Sequence, residues 1–181
     1  MYPVEILGPR LVLRDYRIDD AEEFHALLVH PRRVPGPLEI AAPTVDMVVA
    51  ELTLRQTAAQ EPDRKDYQLA MTLDGRIIGS CSLSGFEPRH FRAELGYMVH
   101  PDLHGHGYAS EAARLMVRFG LGELGLHRIE ATTAPDNAAS QRVLEKIGMS
   151  YEGLARHHVL VGGHTWRDSL RYAILATDPM P

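Results

Sequence analysis

From Glu94 to Ala109 the chain reads ELGYMVHPDLHGHGYA. A strand-like run ends near Val99, a short loop passes Pro101, and a turn spaced by Gly105 and Gly107 opens a helix. A strand feeding a helix through a glycine turn constrains the fold to one that mixes strands and helices in series. The same layout suits an anionic, phosphate-bearing ligand. Glycines admit close backbone approach, and the free N–H groups of a helix start point at the charge. Two familiar phosphate loops are excluded. No Gly-Lys-Ser or Gly-Lys-Thr follows, and the three glycines of a dinucleotide fingerprint are missing.

The pattern on either side supplies more strands and helices. Residues 11–17 alternate as a strand, and Asp19 or Asp20 can cap a helix through His30 with Phe24, Leu27 and Leu28 on its apolar side. Pro31, Pro35, Gly36 and Pro37 interrupt regular structure. Thr44 then starts a helix whose apolar stripe is Val45, Val48, Val49 and Leu52. Position and composition make residues 31–64 the expected cover of a substrate site. Residues 67–73 and 76–86 read as strands joined at Asp74-Gly75, a strong hairpin signal. Residues 91–99 form the next strand, and 107–122 a helix with a narrow face of Ala109, Ala112, Ala113 and Met116. Residues 127–134 are a strand. Asp136 or Asn137 caps a helix that Gly148 terminates, and two closing strands flank Gly162-Gly163. In the second of these, Trp166, Asp168, Leu170, Tyr172 and Ile174 share one face. Residues 1–181 are expected to form one domain.

The glycine turn resembles the acetyl-CoA pyrophosphate loop of the GNAT N-acetyltransferases. Gly107 and Ala109 match its last two fixed positions, whereas His104 stands where that family usually has Arg or Gln. The segments 107–112, 125–131 and 135–149, with 8–14 near the start and Trp166-Arg167-Asp168 near the end, are similar to the branch that acetylates ribosomal-protein N-termini. That branch also includes small-molecule acetyltransferases. The resemblance covers nearly the whole chain and is weakest over residues 31–64. It implies a GNAT-like α/β fold with a central mixed, mostly antiparallel sheet, splayed parallel strands that bind CoA, and about four flanking helices. It implies acetyl-CoA as cosubstrate, no metal, and acetyl transfer to an amine.

The chemistry has three demands: a neutral amine, a stabilised oxyanion and relief of charge on the departing thiolate. Glu94, just before the loop, resembles the carboxylate that some relatives use as general base. Its plain alternative is a structural ion pair. Ser140, about one turn into the helix begun at Asn137, resembles a serine assigned to thiolate protonation. Its alternative is hydrogen bonding at a helix start. Many relatives use a tyrosine four residues further on, where this chain has Leu144. The resemblance assigns acetyl-CoA binding to Met98, Val99, His104, Gly105, His106, Gly107, Tyr108, Ala109, Asn137 and Ser140. It gives the Met98 N–H an oxyanion role. His104 and His106 facing phosphate would make affinity fall as pH rises through their titration. The remaining histidines match no usual zinc spacing.

Composition narrows the setting. A hydrophobic fraction of 45% and a charged fraction of 24% are ordinary for a globular protein. The one cysteine, Cys81, cannot form an internal disulfide and sits in an apparent strand, so a buried small residue is expected. The start lacks a secretory pattern, and no apolar run nears the roughly 20 residues needed to span a membrane. A cytoplasmic location is expected. The net charge of −5 argues against a general nucleic-acid coat. No nucleic-acid or membrane partner is expected, and the resemblance implies an amine acceptor, as a peptide N-terminus or small molecule, with a homodimer left open because dimerisation is common among relatives. The alternative reading is a non-catalytic acyl-CoA-binding or sensing module on the same fold.

Overall fold

Residues 2–33 and 42–181 are described by a computed structural model. Eight strands form one sheet in the order β1-β2-β3-β4-β5-β6-β8-β7. The strands are β1 (Glu5–Leu7), β2 (Val12–Asp15), β3 (Tyr67–Leu73), β4 (Arg76–Glu87), β5 (Arg92–Val99), β6 (Arg128–Thr133), β7 (Ser150–Val161) and β8 (Thr165–Leu175). The helices are α1 (Ala21–Leu28), α2 (Val45–Ala59), α3 (Tyr108–Arg118) and α4 (Ala138–Lys146). All neighbouring strands are antiparallel except β5 and β6, which are parallel. This is the mixed sheet with four helices that the resemblance implied.

Local chemistry sets the elements. Asp74 and Gly75 both take positive φ, 50° and 81°, as a two-residue primed hairpin turn requires. Thr44 caps α2 by accepting from the Met47 N–H at 3.3 Å. Val48 and Leu52 of the expected stripe are fully buried, whereas Val45, one turn earlier, is 37% exposed. Asp20 does not cap α1 with its side chain. It instead accepts from the Arg17 N–H and from both terminal nitrogens of Arg14, folding the approach to the helix back on β2.

The two faces of the sheet are covered differently. Ala112, Ala113 and Met116 of α3 and Leu144 of α4 pack against Leu69, Met71, Cys81, Leu83, Leu95 and Ile129. On the other face, Phe24 and Leu27 of α1 and Val48 and Leu52 of α2 cover Tyr16 and Ala70. Within the segment expected to cover a substrate site, α2 packs on the sheet, while residues 34–41 lie outside the described residues. Cys81 is fully buried, and burial pushes its thiol up to about 12. Trp166 is 56% exposed, whereas Tyr172 and Ile174 further along the same strand are buried. Among the described residues, no helix is long and apolar enough to cross a membrane.

The parallel junction is short. β5 pairs with β6 only at Arg92–Arg128, Ala93–Ile129 and Glu94–Glu130. Beyond Glu94, β5 continues with β4 alone, and β6 continues with β8 alone. A fork opens between them, with α3 and α4 on one face of the sheet beside it.

Candidate active site

Strand register decides what the fork offers. The His100 N–H donates to the Ile78 carbonyl at 2.7 Å, in line with the register that sets Val99 opposite Gly79. Backbone polar groups alternate sides along a strand, so Met98 also turns toward β4 while Tyr97 and Val99 turn toward the fork. Two contacts agree. An added Cβ on Gly79 would lie 2.1 Å from the Met98 carbonyl oxygen, which therefore points at β4. The Val99 carbonyl accepts from His104 Nε2 at 2.9 Å, on the fork side. Of the two residues expected to offer backbone groups, Val99 faces the fork and Met98 does not. Tyr97, one residue earlier, faces it instead.

The glycine turn lies next along the chain. Gly105 and Gly107 have φ of +82° and +81°, a region that a side chain disfavours. Gly107 is the N-cap of α3 and has no side chain to occupy the helix start. The N–H groups of Tyr108, Ala109 and Ser110 have no intrahelical acceptor and carry the positive end of the helix dipole. Both loop histidines bond nearby backbone carbonyls while remaining exposed. His104 Nε2 bonds Val99 as above, and His106 Nδ1 lies 3.2 Å from the Leu103 carbonyl and 3.0 Å from that of His104. Carbonyls only accept, so these ring nitrogens carry the protons. The imidazoles pin the loop to itself and leave His104 Nδ1 and His106 Nε2 as the sites of any second proton.

The loop is anchored from the far end of the chain. Glu111, in the first turn of α3, is 9% exposed. Its carboxylate accepts from the Arg10 N–H at 2.8 Å, the Leu11 N–H at 3.1 Å and Arg10 Nε at 2.7 Å. Arg10 Nη1 donates in turn to the His106 carbonyl at 3.0 Å, and its guanidinium lies over the Tyr108 ring. No sequence pattern flagged Arg10 or Glu111 as part of this loop. An acidic residue in the first turn of a helix was the available signal.

Three further side chains border the fork. Asn137 caps α4 through its Oδ1, which accepts from the Ser140 N–H at 3.0 Å. Ser140 Oγ lies 2.8 Å from the Tyr97 hydroxyl. Leu144, where a tyrosine is common in the resembled family, is buried in the core. Glu94 is exposed at the apex of the fork, and its Oε1 accepts from Thr132 Oγ1 at 2.9 Å.

A backbone-lined fork beside an open helix N-terminus agrees with what comparison finds. The model of the acetyltransferase (GNAT) domain family matches residues 10–150. The chain belongs to the GNAT acetyltransferase family. It is 34% identical over 176 residues to the probable N-acetyltransferase YjcK of Bacillus subtilis, covering 94% of this chain and 97% of that one. It is 27% identical over 171 residues to the putative ribosomal N-acetyltransferase YdaF of the same organism, covering 93% of each. Among solved structures, Mycobacterium smegmatis RimJ in complex with CoA-disulfide superposes with a TM-score of 0.86 at 25% identity, over 97% of this chain and 88% of that one. The protein is thus an acetyl-CoA-dependent N-acetyltransferase of this family.

Other polar groups of this acetyltransferase have structural partners. Asp168 accepts from the His157 N–H at 2.7 Å and stands at a bend in β7 where His157 has φ of 48°. His30, His100 and Asp102 come within 4.8 Å of one another. However, both Nδ1 atoms accept backbone N–H groups, from Arg32 at 3.3 Å and Asp102 at 3.2 Å. In the neutral rings the protons therefore sit on Nε2, and His30 Nε2 faces Asp102 at 3.5 Å. Asp102 also pairs with Arg32. The trio ties the end of α1 to the loop after β5, with the Asp102 carboxylate accepting from His30 and Arg32.

Proposed function

We propose that the enzyme transfers the acetyl group of acetyl-CoA to a primary amine, either a protein N-terminus or a small molecule. The observation that carries this reading is the fork beyond Glu94, whose unpaired strand edge runs toward an uncapped helix N-terminus. Backbone groups of Tyr97 and Val99 suit the amides of a pantetheine arm. The turn from His104 to Ala109 suits a pyrophosphate through its backbone N–H groups. Asn137 and Ser140 border the same space. When bound there, acetyl-CoA supplies an activated thioester.

The residues divide the work by position. An alkyl ammonium, with a pKa near 10, has no lone pair for attack, so a proton must first be removed. Glu94, exposed at the apex and held by Thr132, takes that proton directly or through one water. The Tyr97 N–H, turned into the fork, donates to the developing oxyanion in the role first expected of Met98. Ser140 donates its hydroxyl proton as a hydrogen bond to the leaving sulfur.

A mass-spectrometric screen for the gain of one acetyl group tests this, using spermidine and peptides with free alanine or serine N-termini as acceptors. With any acceptor that turns over, Glu94→Gln is expected to lower kcat about 100-fold. Ser140→Ala is expected to lower it about tenfold, the value of one hydrogen bond to a charged atom. Unchanged kcat in Glu94→Gln would remove the base assignment. CoA binding without turnover on a broad panel would favour a non-catalytic acyl-CoA-binding module.

A further inference from the structure

Tyr97 is the side chain at the fork that the proposed roles leave unused. Its backbone lines the β5 edge, and its ring crosses to the first turn of α4. There the hydroxyl lies 2.8 Å from Ser140 Oγ and 3.3 Å from the Ser140 carbonyl. The Ser140 backbone is already fixed by Asn137, so the free variable is where the serine proton points. Either hydroxyl can donate across the 2.8 Å pair, and the Ser140 carbonyl is the longer alternative acceptor for the phenol. A phenol is a better donor than an alkyl alcohol and a poorer acceptor, because its oxygen lone pair is delocalised into the ring, which favours the phenol as donor to Oγ.

We infer that Tyr97 is a positioning residue: its hydroxyl donates to Ser140 Oγ and thereby aims the serine proton into the fork at the departing CoA sulfur. This rests on the acetyl-CoA reading above. As the carbon–sulfur bond breaks, the electron pair goes to sulfur, and the thiolate leaves while accepting the Ser140 hydrogen bond. It takes its proton from water afterwards. Tyr97 does not supply that proton. Burial pushes its phenol up to about 12. Against an ordinary alkyl thiol, which is the stronger acid, transfer from the phenol to the thiolate would be uphill. The same burial keeps the phenol protonated, and so a donor, across the range in which the enzyme would work.

The test uses CoA itself as probe and needs no acceptor. The thiol of bound CoA is titrated by its thiolate absorbance between about pH 7 and 11, read against the CoA-free protein, a range spanning an alkyl thiol less acidic than the roughly 8.5 of cysteine. Cys81, the one cysteine, stays largely silent there because its thiol is pushed up to about 12. In the unaltered protein the bound thiol is expected to be about tenfold more acidic than free CoA, one pKa unit. Ser140→Ala should abolish the difference, and Tyr97→Phe should remove at least half of it while leaving CoA affinity within about twofold. The double variant should equal Ser140→Ala.

The outcomes separate. A wild-type titration in Tyr97→Phe, with a shifted one in Ser140→Ala, overturns the inference alone. So does a Tyr97→Phe effect that persists undiminished in the Ser140→Ala background. A wild-type titration in Ser140→Ala removes the Ser140 role on which the inference stands. Failure of the unaltered protein to bind CoA removes the acetyl-CoA reading itself.

Discussion

Glu111→Ala is expected to lower folding stability by about 3 kcal/mol and to weaken CoA binding at least tenfold. The carboxylate holds two backbone N–H groups and the Arg10 Nε, and alanine leaves the Leu11 and Arg10 amides without acceptors in a largely dry site. Each unsatisfied buried donor costs about 1–3 kcal/mol, so the estimate counts the pair of amides and gives little to the half-exposed guanidinium. For a domain of this size the midpoint of thermal unfolding should drop by about 6–12 °C. Glu111→Gln keeps one acceptor oxygen but turns an NH2 toward Arg10, so an intermediate loss is expected. Thermal melts with and without CoA check both. A melt unchanged in Glu111→Ala would mean that the carboxylate does not brace the loop.

Gly79→Ala is expected to be nearly as costly, by a different route. Its Cβ would fall 2.1 Å from the Met98 carbonyl oxygen, a backbone atom that cannot rotate aside. β5 must shift, at about 2–3 kcal/mol for overpacking of this kind. The shift falls on the strand that presents Tyr97 and Val99 to the fork, so CoA affinity should fall with stability. Gly122→Ala is the control. An added Cβ there meets nothing within 4 Å, and the effect should be neutral or stabilising by about 0.5 kcal/mol. Denaturant midpoints and CoA titration compare the two. Equal behaviour of both variants would contradict the packing argument.

These two positions show what kind of information a sequence holds. The Asp74-Gly75 turn, the Thr44 cap and the glycines at 105 and 107 were legible because their geometry is set within a few residues. The family, too, was legible, since its motifs are local runs. The choice between Tyr97 and Met98 was not. It depends on which residues of β5 face β4, a parity fixed by pairing. The Glu111 anchor joins residues about one hundred apart, and Tyr97 meets Ser140 across 43. The carbonyl contacts of His104 and His106 were hidden for a related reason, since they depend on how the loop folds back on itself and on the end of β5.

The three-residue junction between β5 and β6 has a mechanical consequence. Five strands lie on one side of it and three on the other, and a backbone ladder of only those three residue pairs joins the two groups. A ligand lying in the fork would act as a missing rung, tying two otherwise loosely laced halves into one cooperative body. Amide exchange should then report a difference in kind between free and CoA-bound protein. Without ligand, β7 and β8 should open at a lower free energy than β3 and β4. With it, the two groups should exchange together.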